Sequence, residues 1–158
     1  MKWGCIMKNI KEIIHVGLTV SDLNRSIEFY RDILGLEFKG QMTMEGKESD
    51  LLFGHENSKA TVCYLNGSEK LNCPPIELIH FENLPVEHQD TDLFRTSASE
   101  ICFAVEDIYS VYKELKEKGV KFISEPQEFD FSESGYGKSI AVYFKDPDGI
   151  ILELTEYL

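Results

Sequence analysis

The stretch from His15 to Val20, HVGLTV, alternates polar or small residues with apolar ones, the period of a half-buried strand. Val16, Leu18 and Val20 share one face, and His15, Gly17 and Thr19 share the other. The pattern then changes. Leu23, Ile27, Tyr30 and Leu34 recur at helical spacing, which predicts a helix from Leu23 to Leu34. Asp22 is suited to cap it, because its carboxylate can accept the orphan N–H groups of the first turn, and Gly35 is suited to end it. The same order returns from Glu100: Ile101, Phe103 and Val105 alternate with small residues, Asp107 caps, and Ile108, Val111, Tyr112 and Leu115 form a helical stripe ending at Gly119.

After each helix comes a short strand, LEFKG and then VKFIS, followed by a loop and two further strands. In the first half these are KATVCYL and IELIHFE. In the second, KSIAVYF turns through KDPDG into IILELTEYL, where Pro and Gly suit a tight turn. Each half therefore reads as βαβββ, an α+β chain of two tandem modules. The expected division is an N-terminal extension over 1–10, with Met7 as the natural start, a first module over 11–82, a linker over 83–98 and a second module over 99–158. The linker is polar, proline-bearing and without periodicity. EPQEFDFSESGYG reads as an irregular loop, either a solvated excursion or a substrate lid.

Composition narrows the function. With 158 residues, 42% of them hydrophobic, the chain can bury one core without disulfides or a structural metal. A net charge of -12, from 16 basic and 28 acidic residues without any basic cluster, repels phosphate backbones and anionic membranes. Nucleic acid and membrane are thus excluded as expected partners. Cys5, Cys63, Cys73 and Cys102 form no CxxC pair, and no secretory signal or membrane-length apolar run is present, so a reducing cytoplasm is expected.

The candidate chemistry lies on the small-residue side of the strands. His15 shares its face with Gly17 and Thr19, and Glu100 shares its face with Cys102 and Ala104. Two more carboxylates stand amid core strand, Glu77 between Ile76 and Leu78 and Glu153 between Leu152 and Leu154. An ionised carboxylate there is costly unless paired or metal-bound. Imidazole and carboxylates suit Zn, Ni, Co, Mn or Fe, and four protein ligands on an octahedron leave two positions for water or substrate oxygens.

The stretches HVGLTVSDLNRSIEFYRDILGLEF, IELIHFE, EICFAVEDIYSVYKELKEKGVKF and YFKDPDGIILELTE resemble the vicinal oxygen chelate superfamily, which includes glyoxalase I, methylmalonyl-CoA epimerase, extradiol dioxygenases and the fosfomycin and bleomycin resistance proteins. The resemblance covers the chain from Ile13 to Tyr157. It implies paired modules closing a cupped, mostly antiparallel sheet with helices outside, and metal ligands at His15, Glu77, Glu100 and Glu153. One departure is Glu100, where the glyoxalase-like pattern has histidine. The resulting set is harder and more anionic, which shifts preference from zinc toward oxygen-loving ions or leaves the site weak or empty.

By this resemblance the protein is a glyoxalase-like lyase or isomerase that chelates two adjacent oxygens of a small molecule, with Glu153 or Glu77 as the base. Two alternatives stand beside it: an extradiol dioxygenase-like iron enzyme, and a non-catalytic resistance-type binding protein. A homodimer is expected, with the modules pairing within one chain or across the dimer. His80 points away from Glu77 and reads as structural; His55 and His88 read as solvated. Tyr64, Tyr143 and Lys138 are candidate cup-lining residues, Tyr136 a candidate for closing over a ligand, and Arg95 a candidate anion contact. The strand position of Cys102 gives no support to nucleophilic catalysis.

Overall fold

The computed structural model describes residues 13–67, 74–88, 93–94, 98 and 100–158. The proposed extension over 1–10, Arg95 and two of the cysteines, Cys5 and Cys73, lie outside the described residues. The first module runs β1 (Val16–Thr19), α1 (Leu23–Glu28), β2 (Glu37–Glu45), α2 (Lys47–Phe53), β3 (Lys59–Asn66) and β4 (Ile76–Phe81). The second runs β5 (Ile101–Ala104), α3 (Ile108–Glu117), β6 (Gln127–Phe131), β7 (Gly137–Lys145) and β8 (Ile151–Tyr157). Each module is a four-stranded mixed sheet, ordered β1-β4-β3-β2 and β5-β8-β7-β6. The outer strand of each, β1 or β5, pairs parallel with its neighbour and the remaining pairs are antiparallel. The expected tandem βαβββ architecture is present.

Both helix starts follow the expected chemistry. Asp22 Oδ1 accepts from the Arg25 amide at 3.1 Å, and Asp107 Oδ1 from the Ser110 amide at 3.0 Å. The first helix differs from the regular helix expected to Leu34. From Phe29 to Ile33 it widens into a π turn, in which the Leu34 amide reaches back to the Phe29 carbonyl at 3.0 Å. The widening lets Phe29 and Tyr30 both be buried, with their rings edge to face at 5.4 Å.

Two further elements depart from the sequence reading. The residues KESDLLF form the short helix α2, held by Asp50, which accepts the amides of Asn57 and Ser58 at 3.0 and 2.8 Å. VKFIS contributes only a bridge from Phe122 to Phe144, and the strand partner of β7 is QEFDF, inside the segment read as a loop. The alternation of Phe129 and Phe131 with Glu128 and Asp130 was a strand signal masked by the adjacent Pro126 and the Ser/Gly run. Phe122 is drawn instead into ring contacts with Tyr112 at 4.6 Å and Phe144 at 5.4 Å.

The helix-side faces of both sheets meet in one buried cluster. Leu65, Ile76 and Leu78 from the first module join Val142, Phe144, Leu152 and Leu154 from the second, with Ile27, Tyr30, Ile108 and Leu115 from the helices. Full burial of each such Leu, Ile or Phe side chain contributes about 1.5–3 kcal/mol. A polar clasp adds to the contact between modules. Tyr30 donates to Asp146 Oδ2 at 3.0 Å, while Asp146 Oδ1 accepts the amides of Asp148 and Ile150 at 2.9 and 2.8 Å. Asp148 in turn accepts from the Ser21 hydroxyl at 2.5 Å and from Arg25 at 2.7 Å. The KDPDG turn therefore closes the β7–β8 hairpin and also fastens α1 to the second module.

Candidate functional site

Strand alternation places the candidate donors opposite this shared core. In the first module β1, β4 and β3 align Gly17, Glu77 and Tyr64 in one row. In the second, β5, β8 and β7 align Cys102, Glu153 and Tyr143 in the equivalent row. His15 precedes the first row and Glu100 the second by the same step along the strand. Because the helix-side faces of both sheets share one core, the two donor-bearing faces point away from it.

The first half-site is assembled by direct contacts. His15 Nε2 lies 3.3 Å from Glu77 Oε2, and the Tyr64 hydroxyl donates to Glu77 Oε1 at 2.5 Å. Glu77 is 8% exposed, so these partners satisfy a carboxylate that water barely reaches. The glutamate holds the phenolic proton firmly: hydrogen bonding to it, and then burial, push the Tyr64 pKa up to about 12. The Tyr64 ring also meets His15 edge-on at 6.0 Å. Gly17 is required by close approach. A Cβ there would lie 3.3 Å from Glu77 Oε2 and 3.3 Å from the Ile79 side chain, tighter than ordinary contact.

The second half-site repeats the plan with different groups. Cys102 stands where the first module has Gly17, and its thiol meets Thr155 Oγ1 at 3.3 Å. Burial first, then the nearby Glu153 and Glu100 carboxylates, push its pKa up to about 11, although the Thr155 contact opposes the rise. A thiol held protonated is a poor nucleophile. Tyr143 is likewise raised, by burial and then by Glu153 and Glu100. These influences place Glu100, Cys102, Tyr143 and Glu153 together.

The chain thus brings His15 to Glu77, while Glu100 and Glu153 both act on Cys102 and Tyr143. It does not gather the four: among the described residues of one chain, no group of three or more His, Cys, Asp or Glu side chains is arranged to hold a metal. Lys138 pairs with Asp130 at 3.2 Å. In the strand alternation it falls on the side away from the donors. His80 also faces away from Glu77, its Nδ1 3.2 Å from the Val20 carbonyl. Tyr136 is exposed.

Helix α2 and the donor-side residues Met42, Val62 and Ile79 were not singled out in the sequence. Their signal was the apolar residue on both faces of β3 and β4, which marks a sheet covered on both sides. No helix among the described residues is long and apolar enough to cross a membrane.

Comparison with known proteins agrees with this architecture. A probable lactoylglutathione lyase of Synechocystis is 31% identical over 144 residues, covering 91% of this chain and 94% of the relative. The metallothiol transferase FosB of Staphylococcus epidermidis is 30% identical over 149 residues, covering 92% and 81%. A crystal structure of a glyoxalase family protein from Bacillus cereus superposes with a TM-score of 0.79 at 21% identity, covering 97% of this chain and 99% of that one. Residues 12–154 match the model of one family over almost the whole described chain, and the protein belongs to the Glyoxalase/Bleomycin resistance protein/Dioxygenase superfamily.

Proposed function

We propose that the protein is a metal-dependent lyase or isomerase for a small molecule bearing two adjacent oxygens, and that its site is composite. His15 and Glu77 of one copy would meet Glu100 and Glu153 of a second copy in a homodimer. The observation that carries this reading is the His15–Glu77 pair at 3.3 Å on an open sheet face, repeated at the same register by Glu100 and Glu153. Ile13 and Ile14, which lead into His15, are 71% and 74% exposed, as suits a surface that a second copy covers.

The donor set fits a divalent ion. Neighbouring ligand atoms at ordinary coordination distances of about 2.1 Å stand about 3 Å apart at a right angle, close to the separation of His15 Nε2 and Glu77 Oε2. A bound Zn, Ni, Co, Mn or Fe ion would polarise the two substrate oxygens and favour loss of the proton between them.

The chain's own residues divide the remaining work. Tyr64 holds Glu77 Oε1 and leaves Oε2 directed toward His15, which suits Glu77 to ligation through one oxygen. Glu153 receives no matching phenol hydrogen bond from the adjacent Tyr143, which suits it to accept the substrate proton. The free thiols Cys63 and Cys102 are compatible with the reducing cytoplasm proposed for the enzyme.

The test is metal titration of the purified protein with each of the five ions, combined with exchange of the α-proton of a 2-hydroxycarbonyl compound in deuterated water. Binding by the dimer, weakened in His15→Ala, Glu77→Gln, Glu100→Gln and Glu153→Gln, together with exchange lost in Glu153→Gln, is expected. No binding of any ion, or unchanged binding in His15→Ala, overturns the proposal.

A further inference from the structure

We propose that the substrate carries, beside its two oxygens, a neutral aryl or alkyl group that lies on a shelf formed by Val62, Ile79 and Met42. The inference rests on the metal-chelating reading above and specifies its substrate. The register of the first sheet defines the shelf. The donor row is Glu77, Tyr64 and Gly40; the next row on the same side is Ile79, Val62 and Met42; the row after it is Phe81, Ala60 and Met44. Two residues along a strand is about 6–7 Å, so the apolar surface begins within one small substituent of the donors. Helix α2 closes the far end, with Phe53 edge-on to Phe81 at 5.2 Å. Gly40 contributes no side chain to the donor row on the outer strand, leaving the approach open.

A sheet with one solvated face carries polar residues there. This one is apolar on both faces, with Cys63, Leu65 and Leu78 toward the core and Val62, Ile79, Met42, Met44 and Phe81 on the donor side. Val62 is buried, yet Met42 beside it is 52% exposed, so the described chain covers the shelf only in part. The adjoining donors identify the missing occupant as the group attached to the chelated oxygens.

Charge selects a neutral group. In the second module the equivalent row is Thr155, Ala141 and Gln127, which is polar but uncharged. The acidic and basic side chains on the donor sides are Glu37, Glu77, Glu100 and Glu153, with His15 held against Glu77 and Lys145 at the far end of β7; Lys39, in the β2 bulge, is paired with Glu37. A substituent bearing carboxylates, such as a peptide thiol conjugate, would meet carboxylates there.

The experiment uses the full-length protein loaded with cobalt(II) and three bidentate oxygen probes: acetohydroxamate, benzohydroxamate and 4-carboxybenzohydroxamate. Calorimetry is expected to show benzohydroxamate binding tighter than acetohydroxamate by about tenfold or more, the order that burying a phenyl ring in place of a methyl gives. The carboxylated probe is expected to bind more weakly than benzohydroxamate. Met42→Lys, at a half-exposed position, should bring the ratio of benzohydroxamate to acetohydroxamate affinity down to about one, a ratio from which any effect of the added charge on both probes cancels. Equal binding of the methyl and aryl probes, or an aryl preference unchanged in Met42→Lys, overturns the shelf and leaves the metal site standing. Tighter binding of the carboxylated probe overturns the requirement for a neutral group. Failure of all three probes to bind the cobalt-loaded protein overturns the chelation reading, and the shelf with it.

Discussion

Replacing Tyr64 with Phe removes one hydroxyl and leaves the ring that meets His15 at 6.0 Å. What is lost is the 2.5 Å hydrogen bond to Glu77 Oε1, the contact that fixes the carboxylate on one side while His15 fixes it on the other. A hydrogen bond to a charged acceptor contributes about 1.5–3 kcal/mol, and Tyr64 is only partly buried, so water can replace part of it. The expected loss of folding stability is therefore about 1 kcal/mol, read as a shift of the urea midpoint with an unchanged slope. Metal affinity should fall more steeply, by about 10–100-fold, because an outer partner orients the ligand that the ion binds. Competition with a chromophoric chelator measures that change. A Tyr64→Phe variant with native metal affinity would refute the claim that Tyr64 positions Glu77, whatever its stability.

Other consequences follow from the clasp and the second half-site. Tyr30→Phe leaves Asp146 Oδ2 without its buried donor and should cost about 1–3 kcal/mol in urea unfolding, with no effect on the metal affinity of the folded protein. Burial alone would raise the Asp148 pKa, but its hydrogen bonds from Ser21 and the charge of Arg25 outweigh burial and hold it below 3.8. Its contribution to stability is thus fully present above pH 3.8 and lost as pH falls through the lowered folded value; Asp148→Asn should flatten this acid limb of a stability-versus-pH curve. The Cys102 thiol, pushed up from 9.0 to about 11, should react with iodoacetamide at pH 8 about a hundredfold more slowly than a free cysteine, with the rate still rising beyond pH 10 in peptide mapping.

Much of this organisation was legible in the residues. The repeated alternation before Asp22 and Asp107 located both helix starts, and the parity of His15 with Gly17 and of Glu100 with Cys102 assigned the donors to the side away from the core. The π turn was hidden because helical spacing from Leu23 to Leu34 is equally compatible with a regular helix. What widens it is the burial of Phe29 beside Tyr30, a tertiary demand. β6 was hidden because its edge position leaves QEFDF exposed along its length, without the buried apolar run that marks a central strand. The Tyr64–Glu77 bond depends on cross-strand register, which a single sequence does not state. Strand parity could place the four donors on equivalent faces but not show that the two faces turn outward from one core. That follows from Leu65, Leu78, Val142 and Leu154 meeting in a single cluster.

Whether the site is shared between copies is decided most directly by mixing two defective variants. His15→Ala damages only the first half-site and Glu153→Gln only the second. In a two-fold dimer each mixed pair keeps one intact site, formed by His15 and Glu77 of the Glu153→Gln copy with Glu100 and Glu153 of the His15→Ala copy. After the variants are unfolded together and refolded at equal concentration, tight metal binding should return to about a quarter of the native site number, since about half the dimers are mixed and each holds one good site of two. If the mixture binds no more metal than the separate variants while mixed dimers are shown to form, the four ligands do not meet across the dimer and the composite site is wrong.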